Sequence, residues 1–421
     1  MILTIGEKIK QIRQHYKIKQ NTFIPYGLTQ NYISMIEKNR RPLNEELLTT
    51  IYTALMELTD GAVHSLYSFE AFCISDTDQA ITWLEQHCSV ELGIEHYNEF
   101  VHLATKYERL DYLLKLQELI GFHYKYERQF ELSNEHFLNA INTSLKLNQN
   151  TALLYRQVGF NQIELGQYRE SITNLSLSIK QAPPTDTYIK IASNYDLARS
   201  YLYLDDYSTA LNHVEPVLKQ NEHIILKSSA VILQASILRY IGQSAAARGI
   251  LTDFIDNCFY EDHLSYAYHN LICNCRDDKM YKEALHYSTL ALNHEQSDDK
   301  KSLLCSSIGI LHTELHEYEI ALQYLTTHKQ NVLIHGNFDH KLDMLQALAL
   351  SLLKCQQIEN LVTFIDELET DRTENLICQT LQLKVKNKLY QYITTAALNH
   401  EINLHHYASV LEKLGEESAI S

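Results

Sequence analysis

The sequence predicts an all-α protein: a small helical head followed by a superhelical solenoid of paired helices. Three observations predict it. A two-helix unit recurs every 37–40 residues through the middle of the chain. Only 12 Gly and 5 Pro occur in 421 residues, which leaves little room for flexible linkers. Charge is divided unevenly: residues 1–44 carry +6, residues 45–60 carry −4 and residues 61–421 carry −18, for −16 overall. A basic head on an acidic body predicts that the head alone meets a polyanion.

The head is assigned to residues 1–60. Thr4-Ile5-Gly6-Glu7 has the spacing of a capping box, in which Thr4 accepts from the Glu7 amide and Glu7 reaches back. Ile5, Ile9, Ile12 and Tyr16 then lie on one face of a first helix. A short second helix is expected over 19–24, closed by Pro25 and Gly27, and Thr29 is a good N-cap for a third over 30–38 with Ile33 and Ile36 inward. Asn44 caps a fourth, which turns Leu47, Leu48, Ile51 and Leu55 inward.

The runs IGEKIKQIRQ (5–14) and GLTQNYISMIEKNRRP (27–42), with Gln20 opening the second helix, resemble the helix-turn-helix of the Xre/Cro/repressor superfamily. Lys19 stands where that pattern has a Ser or Thr cap, and Pro25 where its second helix continues. With Ile33 and Ile36 inward, Asn31, Ser34, Met35 and Lys38 point outward and Gln30 lies at the edge. Asn and Gln suit adenine, and Met35 suits a thymine methyl. Gln20, Lys38, Asn39, Arg40 and Arg41 suit phosphates, and Thr29 belongs to the same DNA-facing set. Arg13 and Glu37 resemble the superfamily's internal ion pair.

Residues 61–113 read as a join. SLYSFEAFCI (65–74) is expected to form a connecting helix, and 77–113 reads as two helices of an imperfect first repeat in which Trp83 packs. The array follows over 114–375 as about seven units, and 376–421 caps it. Its best-formed unit is ALLYRQVGFNQIELGQYRESITNLSLSIKQAPPT (152–185), with Gly159 midway down the first helix and a Gly-x-Tyr turn. A small residue, Ser171, stands where the second helix crosses. Turn residues align as Phe130, Tyr168, Tyr207, Tyr281 and Tyr318, with Ser244 and Ile358 fitting less well. Small residues fall midway at Gly121, Gly159, Ala198, Ala235, Gly309 and Ala349, with Ile272 the exception. This pattern resembles the tetratricopeptide (TPR) repeat, and the resemblance implies a right-handed solenoid.

In that repeat the first helix of each pair lines the concave face, at the fifth, ninth and twelfth places of the unit. The stripe so implied supplies Arg156, Phe160, Ile163, Tyr195, Arg199, Leu202, Ile232, Ser236, Arg239, His269 and Arg276 to a peptide. Asn161, Asn194 and Asn270, beside the stripe, suit a peptide backbone. The arginine forks suit carboxylates, including a terminal one. Three or four units at ~10 Å spacing hold an extended peptide of roughly eight to twelve residues.

Other chemistry finds little footing. The eight cysteines are scattered, which fits reduced thiols in a cytoplasm. Cys273 and Cys275, near His269, fall on nearly opposite sides of a helix, so packing is expected of them, not metal binding or redox chemistry. His405 and His406 lack acid or thiol partners at metal spacing. Neither a Gly-rich phosphate loop nor an activated nucleophile signature is present, so no enzyme activity, cofactor or metal is expected. No apolar run reaches the ~20 residues of a membrane span, and residues 1–10 do not read as a signal peptide.

Head and array together resemble the RRNPP family of Gram-positive bacteria (the Rap, Rgg, NprR, PlcR and PrgX groups), cytoplasmic receptors for short secreted signalling peptides. The resemblance implies a homodimeric quorum-sensing transcription regulator that binds double-stranded operator DNA and is switched by a short linear peptide. Two alternatives stand beside it: a TPR protein-docking scaffold localised on DNA, and a Rap-like regulator of a response-regulator protein.

Overall fold

The computed structural model describes residues 2–257, 261–336, 338–374 and 376–415. Every regular element among them is a helix, and none is long and apolar enough to cross a membrane. Cys258 lies outside the described residues. The chain divides into two units, residues 1–200 and 201–421.

The first unit opens with α1 (Ile5–His15), a 3-10 helix (Gln20–Tyr26), α2 (Gln30–Glu37) and α3 (Glu45–Leu58), then the short α4 (Val63–Leu66) and α5 (Phe69–Cys73). The capping box at Thr4 forms in both directions, and Thr29 and Asn44 cap α2 and α3. The second helix is a tight 3-10 turn because Lys19 offers no acceptor to cap it and Pro25 lacks an amide hydrogen. A single apolar core joins Ile9, Ile12, Phe23, Ile33, Ile36, Ile51 and Leu55 to Val63 and Phe72, so the packed head extends past residue 60.

Lys8 fastens the head to α5. The side chain is 2 % exposed, and its Nζ donates to the carbonyls of Ala71 (2.7 Å), Phe72 (3.2 Å) and Ile74 (2.6 Å). These carbonyls lie at the end of α5, where no intrahelical donors remain. Burial pushes the Lys8 ammonium below the ordinary lysine range.

The join holds α6 (Asp76–His87), α7 (Val90–Glu95) and α8 (Tyr97–Lys106). Trp83 stacks on His87 and packs against the core around Leu84 and Phe100. Paired helices follow: α9 (Leu110–Tyr126) with α10 (Phe130–Lys146), and α11 (Ala152–Glu164) with α12 (Tyr168–Gln181). Most of α13 (Thr187–Tyr203) also lies in this unit.

The second unit continues with α14 (Tyr207–Lys219), α15 (Ile224–Tyr240), α16 (Ser244–Asn257), α17 (Glu261–Asp277) and α18 (Tyr281–His294). Then come α19 (Asp298–Glu314), α20 (Tyr318–His335), α21 (Phe338–Lys354) and α22 (Ile358–Thr373). The closing helices are α23 (Gln379–Leu398) and α24 (Ala408–Gly415), whose Leu381, Val385, Leu389 and Val410 share a core with α21 and α22.

Two local rules shape every pair. First, the residue two places before the turn residue is left-handed throughout: Arg128 (φ 58°), Gly166 (73°), Asp205 (59°), Gly242 (80°), Lys279 (58°), His316 (63°) and Gln356 (56°). Side chains rarely adopt that backbone, yet only two of these positions are glycine. Second, the small residue midway down the first helix meets a large one sixteen places later. A β-carbon at Gly121 would come within 2.8 Å of Phe137, and one at Gly309 within 2.8 Å of Leu325. The exceptional unit inverts the rule, with Ile272 in the first place and Ser288 in the second, both buried.

Candidate nucleic-acid interface and ligand cavity

The α2 face is set by an ion pair beneath it. Arg13 Nε lies 2.6 Å from Glu37 Oε1 and Nη2 lies 3.0 Å from Oε2, a two-pronged bond between α1 and α2. Arg13 Nη1 also donates to the carbonyl of Ile18 at 3.0 Å, which ties down the chain between the helices. Glu37 is buried. Gln20 joins the pair, its Nε2 donating to Glu37 Oε2 at 2.8 Å. The amide nitrogen expected at a phosphate is therefore spent inside, holding the 3-10 helix to α2.

With Ile33 and Ile36 buried, α2 presents Gln30, Asn31 and Met35 to solvent, and Ser34 is half-buried. The Thr29 hydroxyl accepts from the Tyr32 amide at 3.2 Å, so its first duty is the cap. Lys38, Asn39, Arg40 and Arg41 follow the helix and are exposed, with Asn39 left-handed at φ 54°. The Arg41 guanidinium lies 5.3 Å from the Tyr32 ring centre. Lys8 and Arg13 are turned inward, so the surface of the head is less basic than its composition.

The array residues fall into two clusters, one in each unit. In the first, Arg156 Nη2 lies 3.0 Å from Asp196 Oδ2 and Arg199 Nη2 lies 2.7 Å from Glu164 Oε1. Asp196 is 1 % exposed. The Phe160 ring has Lys125 Nζ 3.9 Å and Arg199 Cζ 5.6 Å from its centre. Burial, then the charges of Arg156 and Arg199, bring Lys125 down to about 8. Three cations here share two carboxylates, so Arg156 and Arg199 already have anionic partners.

Several expected surface residues lie elsewhere. Asn161 and Ile163 are buried, at 0 % and 3 % exposure, because α11 packs against both α10 and α12 and hides more than one face. The Asn161 amide donates to Ser133 Oγ (2.8 Å) and Asn134 Oδ1 (3.0 Å). The Asn194 amide donates to the Lys190 carbonyl at 2.8 Å, while Tyr195 and Leu202 are half-buried. In the second unit Ile232 is 7 % exposed, and Ser236 donates to Asn270 Oδ1 at 2.5 Å. A backbone-reading ladder of free amides is therefore absent at Asn161.

The second cluster encloses a cavity of about 400 Å³ between α15, α17, α19 and α21. Arg239, His269, Cys273, Arg276, Ile310 and His340 contribute to its wall. Arg239 Nη1 lies 3.2 Å from Asp277 and Arg276 Nη1 2.7 Å from Asp343. Arg239 Nε is buried with no acceptor among the described residues. Burial together with the charges of His269 and Arg276 brings His340 down to about 4, which keeps it neutral. Sequence reasoning placed Arg239, His269 and Arg276 together and missed Asp277, His340 and Asp343. The signal for Asp277 was present: it follows Arg239 by one repeat length.

No family model matches the sequence, and no curated protein is similar to it. Solved structures similar in part include the following two. One is Bacillus thuringiensis PlcR in complex with the peptide PapR7 and DNA, at 15 % identity over 78 % of this chain and 94 % of that one, TM-score 0.27. The other is the P58(IPK) TPR domain, at 12 % identity over 93 % of this chain and 94 % of that one, TM-score 0.34.

Proposed function

We propose that this chain is a cytoplasmic transcription regulator that binds double-stranded DNA through its head as a homodimer, and that a short linear signalling peptide held by the helical array switches the binding. The observation that carries the reading is the face of α2. Gln30, Asn31 and Met35 stand exposed over a core pinned by Arg13 and Glu37, with Lys38, Arg40 and Arg41 directly behind. Polar side chains on a rigid helix suit base edges, and basic ones beside them suit phosphates. A head of this size reads few base pairs, so a two-fold pair of heads on half-sites about one helical turn apart supplies the missing specificity.

Support for the peptide is the second-unit cavity, where Arg239 and Arg276 stand beside the apolar Ile272 and Ile310. The Arg239 and Arg276 guanidinium groups, now held by Asp277 and Asp343, are suited to a competing peptide carboxylate. The test selects duplexes from a random library with the purified full chain, then titrates the selected site in the presence of linear peptides of roughly eight to twelve residues. Enrichment of a two-fold symmetric site and a peptide-dependent change in its affinity are expected. Absence of any enriched sequence overturns the DNA half. An enriched site indifferent to every peptide overturns the switching half and favours a docking scaffold.

A further inference from the structure

We propose that Cys273 is a reactive thiolate, held by His269 within the arginine-lined cavity of the second unit, and that it is oxidised there by small hydroperoxides. The two side chains lie one turn apart on α17, with Cys273 Sγ 3.6 Å from His269 Nε2. Spacing of four residues puts them on one helix face, and that face is the one turned to the cavity. Cys275, two residues on, is fully buried in the core with Ala267 and Leu271. The helix thus separates an inert thiol from an accessible one.

The surroundings favour the charged pair. Arg239 on α15 and Arg276 on α17 line the cavity with Cys273, and the positive charge of both favours its thiolate. Burial alone would push this thiol up; His269 and the two arginines outweigh that and bring it to about 7. The Cys273 thiolate in turn raises His269, so each charge of the pair favours the other. Asp277 and Asp343 face the same space but are engaged by Arg239 and Arg276. His340, on α21, is neutral, and the α19 residues in the wall, Ser307, Ile310 and Leu311, carry no charge. Elsewhere burial raises Cys73, Cys88, Cys305 and Cys355, and takes Cys275 to about 11.

The chemistry needs one co-reactant, a hydroperoxide. The Cys273 sulfur attacks its terminal oxygen; a sulfur–oxygen bond forms as the oxygen–oxygen bond breaks. The alkoxide or hydroxide that leaves takes the proton of His269 Nε2 and departs as an alcohol or water. Sulfur is oxidised by two electrons to a sulfenic acid, the peroxide is reduced by two, and His269 ends neutral. The guanidinium groups of Arg239 and Arg276 stabilise the negative charge in transit. A cavity of about 400 Å³ admits hydrogen peroxide or a small organic hydroperoxide.

The test needs neither peptide nor DNA, so its outcome is separate from the regulatory reading. The full chain is alkylated with iodoacetamide from pH 5 to 10 and each cysteine is followed by peptide mass spectrometry. Cys273 should react with a single ionisation near 7 and at pH 6.5 should outpace Cys275 by at least about tenfold. In H269Q that ionisation should rise toward the ordinary thiol value of ~8.5. Hydrogen peroxide followed by dimedone should label Cys273 in the parent and leave C273S unlabelled there. Alkylation of Cys273 no faster than that of Cys275, or fast alkylation without dimedone labelling, overturns the proposal; both readings come from the unsubstituted chain.

Discussion

Gly159 lies directly against Leu175: a β-carbon on the glycine would sit 2.6 Å from Leu175 Cγ and 3.3 Å from the Ser171 carbonyl. The first contact is with a fully buried side chain and the second with backbone, so neither can give way freely. The absence of a side chain at Gly159 is what sets the distance between α11 and α12. The same relation at Gly121 and Gly309 shows why the repeat places a small residue here.

Adding a methyl group therefore has opposite effects at two glycines of the array. Gly159→Ala should cost about 1–3 kcal/mol by overpacking. Gly249, inside α16, has nothing among the described residues within 4 Å of its would-be β-carbon. Gly249→Ala should stabilise by up to about 1 kcal/mol through helix propensity alone. Urea denaturation of the two variants beside the parent reads both signs.

The left-handed turn position gives a second prediction. Lys279 holds φ 58° where two other units have glycine. The Lys279→Gly substitution should relieve strain on the order of 1 kcal/mol, and Gly242→Ala should introduce it. Destabilisation by Lys279→Gly would mean that its side chain contributes more than its backbone costs. Thermal unfolding of the two single variants decides this.

Inversion at Ile272 and Ser288 predicts coupling. Ile272→Ala should cost about 2–5 kcal/mol by leaving a cavity, and Ser288→Leu about 1–3 kcal/mol by crowding α17. Combined, they restore the small-then-large order of the other units. The double variant should be less destabilised than the two single costs added, by at least about 1 kcal/mol. Additive costs would show that the two places do not share one contact.

Much of the head and of the repeat was legible because both rest on local rules. Helix caps at Thr4, Thr29 and Asn44, and small residues at the crossings, are written within a few positions of one another. Lys8 was not legible: a lysine between Glu7 and Ile9 reads as surface, and only the end of α5, more than sixty residues away, makes it internal. Asn161 failed for a related reason. An amphipathic helix with two flanking neighbours has more than one buried face, so a single outward stripe is the wrong description of α11. Arg156 and Arg199 were found without their carboxylates, although Asp196 follows Arg156 by one repeat length and Glu164 precedes Arg199 by nearly one.

On DNA, Asn31→Ala should lose about 1–3 kcal/mol on the selected site and relax preference at one position. Lys38→Ala should weaken all sequences alike and flatten the dependence of affinity on salt. Fluorescence anisotropy on selected and scrambled duplexes at several salt concentrations separates the two behaviours. Unchanged affinity and preference in Asn31→Ala would remove α2 from base reading.

Lys125 predicts a pH dependence of stability. Its ammonium is partly buried and faces Arg156 and Arg199, which brings it down to about 8, against ~10.4 in the unfolded chain. Between those values the unfolded chain holds more protons than the folded one, so stability from this group rises with pH through the window. Below about 8 both states are protonated and the folded state carries the full cost of the buried charge. Lys125→Met keeps much of the chain length against Phe160 but removes the charge and the bond to Gln157. Denaturant unfolding of parent and variant at pH 7, 8, 9 and 10 should show the parent gaining relative to the variant across the upper three, by roughly 1–2 kcal/mol after solvent screening. A constant difference over that range would place the Lys125 ionisation at its ordinary value and its ammonium in water.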